Sequence, residues 1–339
     1  KTQLVPMLEQ YFAEHSHTAD VIDINDGVSD YEEMHLARTG EHTRAFLKVQ
    51  DGCNQFCSYC IIPYARGRVR SRDPHSVYEE ARTLADNGYH EVVLTGIHLS
   101  SYGAGESFGL LELIRMVHEI PGIERIRLGS LEPRIITAEF VEELSSLTKV
   151  CPHFHLSLQS GCDDTLQRMN RKYTTAEYAH SCGLLRRAYV HPAITTDVIV
   201  GFPGETEEEF ACTEQFLQQI HFYEMHVFQY SKRHGTRAER MPDQIPEPVK
   251  KERSARLLAL EAAQSKEYRD YYVGKRQTVL FEEAVEIDGA RYMVGFTPEY
   301  VRVAKKLMPT ETEADYANRL MSGVVGQVID REIYAFETV

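Results

Sequence analysis

Three cysteines lie in one short stretch with a spacing that suits an iron–sulfur cluster. Cys53, Cys57 and Cys60 are spaced C-x3-C-x2-C directly after an apolar run at residues 45–49. Three thiolates this close on a loop can bind three irons of a 4Fe-4S cube. Since no fourth cysteine follows at comparable spacing, one iron would remain open to a small molecule. The alternatives are a zinc site, which usually shows C-x2-C pairs and a fourth ligand, and three unconnected structural cysteines.

The cysteine spacing resembles that of the radical S-adenosylmethionine (SAM) superfamily. Tyr59, directly before Cys60, is the aromatic residue commonly found there in that superfamily. The resemblance implies that the open iron binds the amino and carboxylate groups of SAM. It also implies that an electron from the cluster cleaves the sulfonium and yields a 5′-deoxyadenosyl radical.

The pattern of the surrounding chain predicts a parallel sheet that positions the cysteines. Between residues 43 and 229, short apolar runs alternate with amphipathic helical patterns, which is typical of β-α-β units. We predict strands at 45–49, 91–95, 125–128, 153–158, 193–200 and 224–228. We predict helices at 75–87, 110–119, 138–147, 163–189 with an interruption, and 207–220. Six units are fewer than the eight of a closed barrel, so we predict an α/β fold with an open partial (β/α)6 barrel and a site at the strand carboxyl ends.

Polar residues and a glycine that follow the predicted strands are candidate cofactor contacts. Gly96 ends the second strand, where a glycine lets the backbone approach a ligand closely. Glu132 follows the third strand and could accept hydrogen bonds from SAM or substrate, or be an exposed turn carboxylate. Ser157 and Gln159 share one face of the fourth strand. If that face lines the barrel interior, their polar groups need hydrogen-bond partners, which SAM would supply.

Two later segments add further candidates. Arg171 could bind a carboxylate with its forked guanidinium, although a surface arginine is the commoner case. Residues 195–206 combine a strand, a glycine-rich turn and a capped helix. In this segment Ile199 could pack on adenine, and Gly201 would keep the backbone close to the ligand. The segment lacks the Gly-Lys-Ser/Thr ending of a phosphate loop.

Arginines alternate just after the cysteines, at Arg66, Arg68, Arg70 and Arg72. The formal net charge of −14 argues against a general nucleic-acid binder. Residues 48–72, however, hold five basic residues and one acidic residue. A local basic patch beside a reactive site suits an RNA backbone, and the alternative is an ordinary solvated surface.

The two ends of the chain differ from the alternating region. Residues 249–272 predict a long amphipathic helix, and residues 273–339 show short alternating runs typical of a small antiparallel β-barrel. Residues 1–42 are too few for an independent core, so we interpret them as the remnant of an N-terminal domain or a linker. The predicted division is therefore 1–42, a partial barrel at 43–248, a connecting helix at 249–272 and a β-barrel at 273–339.

Taken together, these segments resemble the tRNA methylthiotransferase family. The similar pieces are residues 52–67, 94–103, 127–133, 156–174, 196–210 and 230–238. The runs Cys-Ser-Tyr-Cys-Ile-Ile-Pro-Tyr-Ala-Arg-Gly and Leu-Thr-Gly-Ile-His are most similar to the branch that acts on N6-threonylcarbamoyladenosine at position 37 of tRNA. The resemblance implies 2-methylthiolation, in which one SAM methylates a sulfur on an auxiliary cluster. A second SAM yields the radical that abstracts hydrogen from carbon 2 of the adenine.

The resemblance also implies partners and a location. The C-terminal barrel would be an RNA-binding TRAM domain, in which Lys275 and Arg276 are candidate contacts. The partners would be a tRNA anticodon loop, whose target base can be splayed out, and an electron donor such as a flavodoxin or ferredoxin. No apolar run approaches the length of a membrane span and no secretory signal opens the chain, so we expect a cytoplasmic protein.

The cysteines depart from the family pattern in one respect. The family carries three further cysteines in an N-terminal domain, where they hold the auxiliary cluster, but no cysteine precedes Cys53 here. We therefore expect one cluster, with binding and cleavage of SAM, and a second cluster only in a full-length protein. Two alternatives remain open: another radical SAM RNA-modifying enzyme, and a zinc-stapled RNA-binding protein.

Overall fold

The computed structural model describes residues 4–14, 31, 33 and 43–338. The helices of these residues are α1 (Leu4–Glu14), α2 (Ile62–Ala65), α3 (Pro74–Asp86), α4 (Leu110–His118), α5 (Ala138–Ser146), α6 (Asp163–Arg168), α7 (Thr175–Ala188), α8 (Glu207–Ile220) and α9 (Glu247–Asp270). The first seven strands are β1 (Arg44–Asp51), β2 (Arg70–Ser71), β3 (Glu91–Gly96), β4 (Arg125–Leu128), β5 (His153–His155), β6 (Ala193–Val200) and β7 (Glu224–Gln229). The last five are β8 (Arg276–Ile287), β9 (Ala290–Phe296), β10 (Arg302–Lys306), β11 (Leu320–Asp330) and β12 (Ile333–Thr338). Short 3-10 turns lie at Leu99–Ser101, Pro133–Ile135, Ala238–Arg240 and Glu313–Asp315.

Six parallel strands form the first barrel and confirm the predicted fold class. β1, β3 and β4 pair in parallel, as do β5, β6 and β7. A parallel bridge between Leu131 and Leu156 connects the two groups just beyond β4 and β5. Within the described ranges, β7 pairs only with β6, and β1 pairs with β3 and the short antiparallel β2, so the barrel stays open.

Five helices, α3, α4, α5, α7 and α8, cover the outside of this sheet, and each buries one face. In α4, for example, Leu113, Ile114 and Val117 are fully buried, as the period of an amphipathic helix requires. Side chains cap two of these helices: the Asp73 carboxylate accepts a hydrogen bond from the backbone of Ser76 before α3, and Thr206 with Glu209 forms a capping box at α8. These caps satisfy backbone N–H groups that the first helical turn leaves unpaired.

The C-terminal strands close into a separate five-stranded barrel in the order β10-β12-β11-β8-β9. Four of its five pairs are antiparallel, which confirms the predicted small antiparallel β-barrel, and the fifth pair, β10 with β12, runs parallel. The long helix α9 connects the two barrels and packs on β7 and β6. None of the helices in the described part of the chain combines the length and apolarity that crossing a bilayer requires.

Charged side chains at the amino ends of the first-barrel strands bind the C-terminal barrel. Arg44 donates to the hydroxyl of Tyr300 at 2.6 Å, and its guanidinium lies 5.0 Å from the Tyr300 ring centroid. Arg125 and Arg127 donate to backbone carbonyls of the β9–β10 region at 3.0 Å each. The buried carboxylate of Glu91 lies between these two arginines. The two barrels are therefore joined by paired charges at the end of the first barrel that is opposite the cysteine loop.

The interpretation of residues 1–42 as a remnant or linker falls mostly outside the described residues. The amphipathic piece at its start forms α1, and none of the side chains of α1 is buried. Further along, the Tyr31 hydroxyl donates to the Lys48 carbonyl at 3.0 Å, and Glu33 pairs with Arg72 at 2.9 Å. These two contacts connect the segment to the edge of the first barrel.

Candidate functional site

The cysteine loop begins at a glycine that no other residue can replace without strain. Gly52 follows β1 with φ of +71°, and a Cβ built on it would lie 1.8 Å from the Arg68 carbonyl oxygen. The next residue, Cys53, donates its backbone N–H to the Gly67 carbonyl at 3.1 Å. The chain leaving the loop therefore packs directly on the chain entering it, which only a residue without a side chain allows.

A distant turn after α6 holds the far side of the loop. The Ser58 hydroxyl donates to the Arg168 carbonyl at 2.8 Å, and its N–H donates to the Met169 carbonyl at 3.0 Å. The Asn170 amide donates to the Phe56 carbonyl at 2.8 Å, and Asn170 itself has φ of +61°, which suits asparagine better than most residues. The three thiols are therefore positioned by contacts at both ends of the loop.

The three predicted cluster ligands line one cavity of about 140 Å³. All three thiols are free, with Cys53 buried and Cys57 and Cys60 half-buried. Burial raises the pKa of Cys53 and of Cys60, so these thiols favour the protonated form unless a positive charge is bound beside them. Thiolate ligands that need a bound cation fit the donor set of a 4Fe-4S cluster. The residues present are therefore compatible with that group.

Glu132 forms the opposite wall of the cysteine cavity and is buried, so the alternative of an exposed turn carboxylate is wrong. Arg134 binds both of its oxygens, at 3.0 and 2.9 Å, and His98 lies 3.6 Å away. Burial opposes ionisation, but the nearby imidazole of His98 and the hydrogen bonds from Arg134 lower the pKa of Glu132 to about 2. The cavity therefore contains a fixed carboxylate at neutral pH.

Arg171 lies between the cysteine loop and the segment that directly follows β5. Its guanidinium donates to the Cys57 sulfur at 3.3 Å, to the Tyr173 hydroxyl at 2.9 Å and to the Ser157 carbonyl at 3.3 Å. Burial opposes its charge, yet Tyr173, Tyr59 and Cys57 raise the pKa of Arg171 well above its ordinary value. The commoner alternative of a surface arginine is therefore wrong here. Its contact with Cys57 suits stabilisation of a thiolate.

Ser157 and Gln159 face the same cavity, as their shared strand face predicts. Gln159 has φ of +77°, which places a non-glycine residue in strained backbone. The strain follows from two ladder bonds, since its N–H donates to the Asp197 carbonyl and its carbonyl accepts from Ile199. The predicted residues after β5 thus converge with the thiols.

A second, larger cavity of about 490 Å³ adjoins the first. Tyr59, Cys60 and Gln159 line both cavities, and Ile199 of β6 lines the larger one. The Tyr59 ring packs edge-on against Phe202 at 6.3 Å. Ile199 and Tyr59 thereby form an apolar wall next to the thiols.

The two glycines of the predicted site are required by protein packing. A Cβ on Gly96 would lie 2.9 Å from the side chain of the buried Gln50, and one on Gly201 would lie 2.3 Å from Lys250 of α9. Gly201 also has φ of +70°. The missing side chain of Gly201 thus faces α9, so the prediction that it lets the backbone approach a ligand has no support in this geometry.

The arginine row does not form one exposed patch. Arg72 is 2% exposed and is bound to Glu80 at 2.5 Å, so its assignment as an RNA contact is wrong. Arg66 and Arg70 pair with Asp51 at 2.9 and 3.7 Å and are half-buried. In this row only Arg68 is exposed, with its guanidinium 4.6 Å from the Phe56 ring centroid.

The two C-terminal basic candidates lie far from the cysteines in the chain. Lys275 is half-buried over the ring of Tyr271, and Arg276 is exposed at the first position of β8. Of the two, Arg276 is therefore the accessible one, at the start of β8.

Two residues that position the cysteine loop, Gln50 and Asn170, were not predicted from the sequence. Gln50 is fully buried at the end of β1 and binds the carbonyls of Asp51 and Gly52 at 2.7 Å each. Its side-chain oxygen accepts from the backbone of His98 at 2.7 Å, which connects the cysteine loop to the end of β3. A polar residue interrupting a buried strand was the available signal. No such signal identified Asn170, because its partner is more than a hundred positions away in the chain.

Comparison with known proteins finds one matching family model and relatives with two different tRNA substrates in their names. The family model "Radical SAM superfamily" matches residues 47–217. The chain is 45% identical over 279 residues to threonylcarbamoyladenosine tRNA methylthiotransferase MtaB of Bacillus subtilis, covering 81% of this chain and 62% of the relative. It is 39% identical to the MtaB of Aquifex aeolicus, covering 84% and 69%. It is 42% identical to the tRNA-2-methylthio-N(6)-dimethylallyladenosine synthase of Acetivibrio thermocellus, covering 80% and 57%. The chain thus spans only part of the length of the curated relatives it matches.

Solved structures with low sequence identity share the fold. Coproporphyrinogen III oxidase (HemN) from Escherichia coli superposes with a TM-score of 0.52 at 14% identity, covering 76% of this chain and 68% of that one. The methyltransferase TsrM from Kitasatospora setae gives 0.50 at 20% identity, covering 57% and 38%. At these identities the likeness concerns the architecture of the partial barrel alone.

Proposed function

We propose that this chain, which belongs to the radical SAM superfamily and within it to the tRNA methylthiotransferase family, binds and cleaves SAM for the 2-methylthiolation of tRNA. The observation that carries the proposal is the convergence of three free thiols, a fixed carboxylate and two polar side chains on one cavity. Membership of this family leaves the zinc-stapled alternative without support.

The thiols of Cys53, Cys57 and Cys60 would hold a 4Fe-4S cluster. When bound, such a cluster supplies the electron that cleaves the SAM sulfonium. The protein's own part is to bind and orient SAM and to exclude water. Arg171 would stabilise the negative charge on Cys57, since it already donates to that sulfur.

The remaining cavity residues would position SAM. The ionised Glu132 can accept hydrogen bonds from the amino group or the ribose hydroxyls, and Ser157 and Gln159 can bind the hydroxyls or the carboxylate. Ile199 would pack on the adenine beside Tyr59 in the larger cavity. These assignments follow from which groups face the cavity and from their charge.

The substrate of the proposed reaction is N6-threonylcarbamoyladenosine at position 37 in the anticodon loop of tRNA. Two relatives that carry this substrate in their names support the choice, at 45% and 39% identity. The dimethylallyladenosine synthase at 42% identity supports the isopentenyl-type substrate as the second candidate. Among the predicted RNA contacts, Arg68 and Arg276 have the exposure that binding a phosphate requires.

Further parts of the proposal concern organisation and partners. We propose the division 1–42, 43–248, 249–272 and 273–339, with the last part acting as a TRAM RNA-binding domain. A flavodoxin or ferredoxin would donate the electron in a cytoplasmic setting. One cluster is expected for this chain, because Cys151, Cys162, Cys182 and Cys212 do not line the cysteine cavity.

Anaerobic reconstitution with iron and sulfide tests the proposal. We expect about four irons per chain and, with dithionite and SAM, formation of 5′-deoxyadenosine measured by liquid chromatography and mass spectrometry. Cys57→Ala should abolish both, whereas Cys212→Ala, which removes an exposed cysteine outside the cavity, should change neither. Intact clusters that fail to cleave SAM would contradict the proposal, and about eight irons would contradict the single cluster.

The substrate is tested by nucleoside analysis of tRNA from a strain that lacks the gene. Loss of the 2-methylthio derivative of N6-threonylcarbamoyladenosine is expected. Loss of the dimethylallyl derivative instead would favour the second candidate. Unchanged 2-methylthio nucleosides would indicate another radical SAM modification of RNA.

A further inference from the structure

A second group of ligand-type side chains lies on the interior face of the first barrel. His155 of β5, Asp197 of β6 and His226 of β7 each offer one ligand atom, and these atoms lie within 4.8 Å of one another. The three strands are adjacent and parallel, with Asp197 opposite His226 and Thr195 opposite His155. Residues paired across a parallel sheet, and residues two apart on one strand, point to the same face. Asp197 also lines the larger cavity, which identifies this face as the interior.

We propose that His155, Asp197 and His226 bind a divalent transition-metal ion such as Zn²⁺. Imidazole nitrogens together with a carboxylate oxygen are a donor set that suits zinc and its neighbours in the first transition row. Three protein ligands leave at least one coordination position open toward the cavity. This site shares no ligand with the cysteine loop and does not depend on the proposed SAM chemistry.

The spacing of the first two ligands already matches a coordinated ion. His155 Nε2 lies 3.2 Å from Asp197 Oδ2. In a tetrahedral zinc site with bonds of about 2.0–2.1 Å, neighbouring ligand atoms stand roughly 3.3 Å apart. An ion can therefore replace the proton between these two atoms with little movement of either side chain.

Thr195 gives His155 the support that a metal-binding imidazole needs. Its hydroxyl lies 3.0 Å from His155 Nδ1 and can accept or donate a hydrogen bond. When an ion occupies Nε2, the Nδ1–H donates to Thr195, which holds the tautomer and the ring orientation. Thr195 is 2% exposed, so water competes little for this bond.

His226 completes the set from the open edge of the barrel. Its ring stacks on that of His155 with centroids 5.8 Å apart and planes 26° apart. His226 is exposed and Asp197 half-exposed, so an ion can enter without unfolding the sheet. By contrast, His221 and Glu267 also approach to 3.2 Å, but the described residues place no third ligand beside them, and that pair is the matched control.

Zinc binding to the cluster-loaded protein tests the site without using activity. The protein is dialysed anaerobically against buffered low-micromolar Zn²⁺, and zinc and iron per chain are measured by mass spectrometry. About one zinc per chain is expected with iron unchanged. Absorption at the zinc X-ray edge should show nitrogen and oxygen at about 2.0–2.1 Å and no sulfur at about 2.3 Å.

Three variants assign the bound zinc to these residues. His226→Gln should weaken zinc binding at least tenfold, and Thr195→Val should weaken it by roughly 10–100-fold through loss of the Nδ1 partner. His221→Gln should leave the affinity unchanged. Iron content and circular dichroism verify that each variant is folded. No retained zinc, a sulfur shell at the zinc edge, or equal affinity in His226→Gln would overturn the proposal.

Discussion

Replacing Glu132 by glutamine tests whether the wall of the cysteine cavity carries a fixed negative charge. The pKa of this carboxyl is lowered from 4.5 to about 2. At about 1.36 kcal/mol per pKa unit, the full shift corresponds to roughly 3.4 kcal/mol. The side chain of its partner Arg134 is 46% exposed, and solvent screening reduces that value. We therefore expect Glu132→Gln to lower the free energy of unfolding by about 1–2 kcal/mol at pH 7.

The sign of the pH dependence follows from the lowered pKa of Glu132. Because the folded-state pKa lies below the unfolded value, the carboxylate stabilises the fold above pH 4.5, and this stability is lost as the pH falls toward 2. The stability difference between the parent protein and Glu132→Gln should therefore narrow by roughly 0.7 kcal/mol between pH 7 and pH 4.

Urea unfolding of the cluster-free protein, followed by circular dichroism at both pH values, measures these differences. Glu142→Gln, which changes an exposed carboxylate on α5, is the control and should have little effect at either pH. In the cluster-loaded protein, Glu132→Gln should also weaken SAM binding by about tenfold or more, the value of one hydrogen bond to a charged group. Equal stability of variant and parent at pH 7, or a difference that does not narrow at pH 4, would refute the reasoning.

Three further changes test how the site and the two barrels are held. Gly52→Ala should lower the amount of iron bound after reconstitution, because its new Cβ would lie 1.8 Å from a carbonyl oxygen. Gly88→Ala is the control: Gly88 has φ of +87° but no atom within 4 Å of a built Cβ, so the free energy of unfolding in urea should fall by only about 1–2 kcal/mol. Asn170→Gly removes the hydrogen bond to the Phe56 carbonyl and should lower the free energy of unfolding by about 1 kcal/mol. Asn170→Ala should lower it by about 1–2 kcal/mol more, because alanine disfavours the positive φ of this position. Arg127→Met removes the nearer of the two arginines that pair with the buried Glu91 and leaves Arg125 at 3.7 Å. The free energy of unfolding in urea should fall by about 3–5 kcal/mol, and a loss below about 1 kcal/mol would contradict this argument from burial.

The strands were predictable where both faces are buried. β4 and β6 begin and end at the predicted residues. β6 is mostly β-branched, which is typical of a parallel sheet covered by helices, whereas in β4 two buried arginines alternate with Ile126 and Leu128. β5 is shorter than the predicted 153–158. The chain after it instead bridges to Leu131, and Gln159 adopts positive φ, which ends a regular ladder. Such long-range pairing leaves no local trace in the sequence.

The site was predictable to the extent that it is local in the chain. The three thiols come from one eight-residue stretch, so their spacing alone indicated a shared ligand. The fate of the arginine row depended on carboxylates elsewhere, since Glu80 buries Arg72 and Asp51 binds Arg66. The alternating arginines alone do not show where those carboxylates lie. The four arginines were therefore predicted to share one exposed surface, whereas Arg72 is buried and Arg68 is exposed.

Tyr300 of the C-terminal barrel packs against the amino end of the first barrel. Its ring lies 5.1 Å from that of His153 and 4.7 Å from the Arg127 guanidinium, and its hydroxyl binds Arg44. The C-terminal barrel thereby covers the amino end of the first barrel with the side chain of Tyr300. Truncation of the C-terminal barrel would remove this cover and expose the His153 ring and the buried Arg127–Glu91 pair to water.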